Sequence, residues 1–71
     1  MSIWVIVVKY IDRAEVNISQ DAYVNYNDAV KSIRGRIDEQ WIKQMDDYNF
    51  MDMDRNIIYT LKTVFARKED L

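Results

Sequence analysis

The chain reads as an α+β domain of order β-β-α-β, with a three-stranded antiparallel sheet in spatial order 2-1-3 and one helix packed on one of its faces. Three features lead there. The chain opens on a β-branched and aromatic run, Ile3-Trp4-Val5-Ile6-Val7-Val8-Lys9-Tyr10-Ile11. Apolar residues then recur at helical spacing from Ala29 to Met45, and the closing run, Ile57 to Ala66, is again rich in strand formers.

The opening run is apolar on both parities and short, which predicts a central strand contacted on both faces. Asp12-Arg13 supplies a polar turn. Glu15-Val16-Asn17-Ile18-Ser19 then alternates with period two, so a second strand should form a hairpin with the first and turn Val16 and Ile18 inward. A helix start is written at Asn25-Tyr26-Asn27-Asp28: Asn25 can cap free backbone N–H groups, and Asp28, three residues on, completes a capping box. Ala29, Val30, Ile33, Ile37, Trp41 and Met45 then fall on one helical face, with Lys31, Arg34, Asp38, Glu39 and Lys43 on the rest. Gly35 inside this helix costs about 1 kcal/mol relative to alanine and reads as a tolerated position. Residues 46–56 are open to three readings: a loop, a last helical turn, or a short strand through Phe50 and Met53 that turns at Asp54-Arg55-Asn56. Ile57 to Ala66 makes the final strand, pairing antiparallel with the free side of the first, and Arg67-Lys68-Glu69-Asp70 should be a frayed tail.

With 71 residues there is room for a single domain, 1–71, and one core. In a chain this short, hydrophobic burial and conformational entropy nearly cancel, and such domains usually rely on a staple or a partner. The sequence contains no cysteine and no histidine, so neither a disulfide nor a Cys/His zinc site can be the staple, and self-association as a homodimer is expected. The lack of cysteine fits a cytoplasmic protein. The apolar run Ile3 to Val8 is too short to span a bilayer and has no basic segment before it, so neither a signal peptide nor a membrane helix is expected. A net charge of −2 lacks the cationic excess that phosphate backbones require, which makes nucleic acid an unfavoured partner.

The same composition excludes much chemistry. Ser-His-Asp and Cys-His nucleophiles cannot be built, and a single glycine removes the phosphate-cradling loops that need several. Asp52-Met53-Asp54-Arg55-Asn56 begins like a calcium loop, but Ile57 stands where that loop needs glycine and Thr63 where it needs glutamate. Trp4, Tyr10, Tyr59 and Phe65 could stack bases, but they lack a basic groove beside them and read as core. No catalytic residue, cofactor or metal site is expected.

Binding surfaces remain. If the helix covers the face of Trp4, Ile6, Val8 and Tyr10, that layer also takes Val16, Ile18, Tyr59, Leu61 and Phe65. The opposite face then shows Ile3, Val5 and Val7, bordered by Lys9, Asn17, Thr60, Lys62 and Val64, with no second helix to cover it. An apolar centre with a polar rim is the anatomy of a protein interface. Asp46, Asp47, Asp52 and Asp54 form an acidic cluster that would suit a basic protein surface.

The hydrophobic opening strand, the hairpin, Val24-Asn25-Tyr26-Asn27-Asp28-Ala29-Val30 entering a helix and the closing Ile58-Tyr59-Thr60-Leu61-Lys62 resemble small accessory proteins of phages and mobile elements. That resemblance implies a non-enzymatic inhibitor that blocks a bacterial host or defence protein by occupying its surface, as anti-CRISPR proteins do. The expected contacts are Ile3, Val5, Val7, Asp46, Asp47, Asp52 and Asp54. Two other classes stand beside it: a sponge for a signalling nucleotide at a dimer seam, and a nucleic-acid-binding regulator.

Overall fold

A computed structural model describes residues 2–65. The chain forms β1 (Ser2–Tyr10), β2 (Glu15–Tyr23), α1 (Tyr26–Arg36), a 3-10 turn (Glu39–Trp41), β3 (Ile42–Gln44), β4 (Asn49–Asp52) and β5 (Ile57–Phe65). The α+β class stands. The strand count and order do not: the sheet has five antiparallel strands ordered β2-β1-β5-β4-β3, rather than three ordered 2-1-3. The closing strand does pair with β1 as expected, from Ser2↔Phe65 to Tyr10↔Ile57, but β3 and β4 extend the sheet beyond it. β5, not β1, is therefore the middle strand. The side chain of Phe65 and the stretch Arg67-Lys68-Glu69-Asp70 lie outside the described residues.

Of the two extra strands, β3 lies in the stretch that the helical spacing assigns to α1, and β4 lies in residues 46–56, where a short strand through Phe50 is one of the three readings. The helix begins as the sequence indicates: the Asn25 side chain accepts from the Asp28 backbone N–H at 2.9 Å and donates to the Asp28 carboxylate at 3.0 Å. It ends at Arg36. Ile37 is already extended, and Asp38, also extended, accepts from the Gln40 N–H to start the 3-10 turn. Asp38 thus offers the backbone a local alternative to the next helical turn, and Trp41 and Met45 leave the helical face. Their spacing from Ile37 is a coincidence of period. Downstream, Phe50 and Asp52 are buried while Asn49 and Met51 are half-exposed, which is strand alternation.

The core lies between α1 and one face of the sheet. Ala29, Ile33 and Ile37, spaced four apart, bury against Ile6, Phe50, Ile57, Tyr59 and Leu61, with Trp4, Val8, Tyr10, Tyr23, Tyr26, Val30 and Ile42 packed around them. Ile6, Ile33 and Phe50 are wholly enclosed. The helix therefore covers the even-numbered face of β1, that of Trp4, Ile6, Val8 and Tyr10. Val16 and Ile18 are not in that layer. The register sets Ile18 opposite Val7 and Val16 opposite Lys9, and directly opposed residues share a face, so both side chains stand on the uncovered side while Asn17 points to the helix side. The turn decides this: Tyr10 pairs with Glu15 across the four residues 11–14, and a register one residue different would have turned Val16 and Ile18 inward.

Candidate protein-binding surface

The register defines the uncovered face row by row. Across its widest row run Val16, Lys9, Ile58, Met51 and Lys43, one from each strand. The next row is Ile18, Val7, Thr60 and Asn49, followed by Ala22, Val5 and Lys62, then Ile3 and Val64. Ile3, Val5 and Val7 thus lie together as expected, and the structure adds Val16, Ile18, Ile58 and Met51. Ile18 is 67% exposed, Val16 58% and Val64 46%. β-branched residues on an edge strand belong in a half-buried layer, and here nothing in the chain's described residues covers them. The signal for Val16 and Ile18 was present in the period-two alternation; only their face was hidden in the turn.

The acidic residues are not brought together. Asp46 and Asp47 lie in the β3–β4 turn, and Asp52 and Asp54 at the other end of β4. Asp46 is a turn builder: its carboxylate accepts from the Tyr48 N–H at 2.8 Å and from the Asn49 side-chain amide at 2.9 and 2.8 Å. The hydrogen bond from the Tyr48 amide, with that from Asn49, holds the Asp46 carboxyl below the usual carboxylate value. Asp52 is buried, and one of its oxygens accepts from the backbone N–H groups of Asp54 (3.0 Å) and Arg55 (3.2 Å). This arrangement closes the β4–β5 turn, where Asn56 takes the left-handed conformation at φ 56°. A carboxylate engaged in this way is part of the scaffold and has no exposed surface to offer a partner. Among the described residues, no group of three or more His, Cys, Asp or Glu side chains gathers where a metal could be held.

A second feature went unread in the sequence. Trp4, Tyr26 and Tyr48, from β1, the start of α1 and the β3–β4 turn, form an aromatic cluster with ring centroids 5.4 to 6.2 Å apart. The Tyr26 hydroxyl donates to the Asp47 carbonyl, and the Leu61 N–H donates to the Tyr48 carbonyl at 2.7 Å, fixing the turn against the sheet. A shallow depression of about 370 Å³ lies over Trp4, Tyr26, Asp47 and Tyr48. The rings meet edge to face or stacked, the geometry of mutual packing. The residues are 22 apart in each step of sequence, so only tertiary structure assembles them. Tyr59 is in the core, as read from sequence.

Comparison of the chain with protein-family models, with curated proteins and with solved structures finds no match. Among the described residues no helix is long and apolar enough to cross a membrane.

Proposed function

We propose that this protein is a non-enzymatic protein-binding module that acts by occupying a surface of its partner, in the manner of the small phage and mobile-element inhibitors its sequence resembles. The uncovered sheet face carries this reading. It presents Ile3, Val5, Val7, Val16, Ile18, Ile58 and Val64 around a common centre, while the one α-helix among the described residues is committed to the opposite face. Patches of this kind mark interaction sites more often than they mark inert surface. The reading expects a folded protein whose cross-linked protein contacts map to this face. Ile18→Asp is the test variant, because a 67%-exposed side chain can take a charge without disturbing the core. Loss of cross-linked partners in Ile18→Asp, with an unchanged thermal transition, is the supporting result. Partners retained in full by that variant would refute the assignment of the face, and a partner whose activity is the same with and without the module would refute inhibition. Homodimerisation through the face is the competing occupancy, and light scattering over a dilution series separates it from binding to a foreign protein.

A further inference from the structure

The charges on the two sides of the sheet are segregated. By register, the ionisable strand side chains on the uncovered face are, among the described residues, Lys9, Lys43 and Lys62, all exposed. The strand carboxylates lie on the other side: Glu15 opposite Tyr10 and Asp52 opposite Ile57, with Asp21 directed to Arg36 of the helix at 3.8 Å. The remaining described carboxylates belong to turns or helical segments. The arginines with described contacts are also off this face: Arg13 lies over Tyr10 and pairs with Glu15, Arg34 lies over Phe50, and Arg36 reaches Ser19 and Asp21. Among the described residues none of the three lysines pairs with a carboxylate. In a chain with net charge −2, the described strand residues of this face thus carry a formal charge of +3, from Lys9, Lys43 and Lys62.

The placement matters as much as the sign. Lys9 flanks the apolar centre towards the β1–β2 turn, Lys62 sits beside Val5 towards the other end, and Lys43 marks the β3 edge. A second copy stacked on this face would bring only lysines of its own to an interface where its apolar groups match, and like charges brought together in a desolvated contact oppose binding. An occupant with apolar side chains along its centre and carboxylates along its flanks would bury the one and pair the other.

Resting on the reading of this face as the docking surface, we infer that its occupant is an acidic, apolar-faced segment of another protein, whose carboxylates pair with Lys9, Lys43 and Lys62. The geometry suits an amphipathic helix packed on the sheet, as α1 is packed on the other face.

The experiment uses the intact protein and two synthetic amphipathic helical peptides with the same leucine face, one flanked by glutamate and one by lysine. Binding is followed by the backbone amide signals of Val5, Val7, Ile18 and Ile58. The glutamate peptide should move these signals, and its affinity should fall by about tenfold or more when Lys9, Lys43 and Lys62 are all changed to Gln, and similarly at high salt. Changing the three lysines to Glu should reverse the preference towards the lysine peptide. Equal binding of both peptides, unaffected by the Lys→Gln changes, would overturn the acidic partner while leaving the docking surface in place. Vesicles containing phosphatidylserine that move the same signals when neither peptide does would assign the face to a membrane surface instead. A dimer that dissociates on dilution and is abolished by Ile18→Asp, with no peptide bound, would assign it to a second copy. A monomer whose face responds to none of these probes would overturn both the inference and the docking reading beneath it.

Discussion

Asp52 turns from a candidate contact into a structural residue once its surroundings are known. It is 3% exposed, and its carboxylate closes the β4–β5 turn through two backbone N–H groups. Asp52→Ala should cost about 1–3 kcal/mol, because the amides of Asp54 and Arg55 lose their acceptor, whereas Asp52→Asn keeps a carbonyl oxygen and should cost less. Urea unfolding of the two variants measures the difference; equal and negligible losses would show that the turn closes without this side chain. The acidic composition of residues 46–54 was legible in the sequence, but which carboxylates were already engaged by backbone was not, since that depends on where the turns fall. Tyr59 offers a second residue-level test. Burial, reinforced by the charge of Asp52, raises its phenol above the usual tyrosine value. The native state then keeps its proton at a pH where the unfolded chain has lost it. Stability is therefore full below about pH 10 and is lost as pH rises from the unfolded value through the raised folded one. Urea midpoints measured across that alkaline range should decline, and Tyr59→Phe should flatten the decline.

Among the elements, α1 shows both the strength and the limit of periodicity. Its start was written in Asn25 and Asp28, and its buried stripe in Ala29, Ile33 and Ile37. Its end was not, because Trp41 and Met45 continue the spacing while Asp38 stops the helix by a local hydrogen bond that spacing does not reveal. The strand β4 was one of three readings left open for residues 46–56, because four residues give too few repeats to separate alternation from irregular chain. Gly35 lies in the last turn of α1, and a Cβ placed there would meet nothing within 4 Å. Gly35→Ala should therefore stabilise the protein by about 0.5–1 kcal/mol, read as a higher urea midpoint with an unchanged slope. A loss of stability would mean that this glycine has a role that the helix geometry does not reveal.

At the scale of the whole molecule, the order of the sheet and the facing of its strands were legible to different degrees. The pairing of β1 with β2 and β5 follows from a hairpin and a return after the helix. The facing of β2 depends on the length of one turn, and with it the enlargement of the apolar patch from Ile3, Val5 and Val7 to include Val16 and Ile18. The same strand contains an irregularity: between the pairs Val7↔Ile18 and Val5↔Ala22, β2 spends four residues where β1 spends two. The insertion is even, so the facing of the strand is the same on both sides of it. Deleting Ser19 and Gln20 together should preserve the fold, whereas deleting Gln20 alone should turn one half of β2 over and destabilise it. Among the described residues β2 is also a long free edge of the sheet, with Val16 and Ile18 exposed along it. A straight edge of this composition would template the addition of further strands and seed fibrils. The irregularity divides that edge into two short runs of different register, which is expected to hinder such addition. The double deletion, though folded, should form thioflavin-positive fibrils sooner than the parent, and equal lag times would deny the irregularity that role.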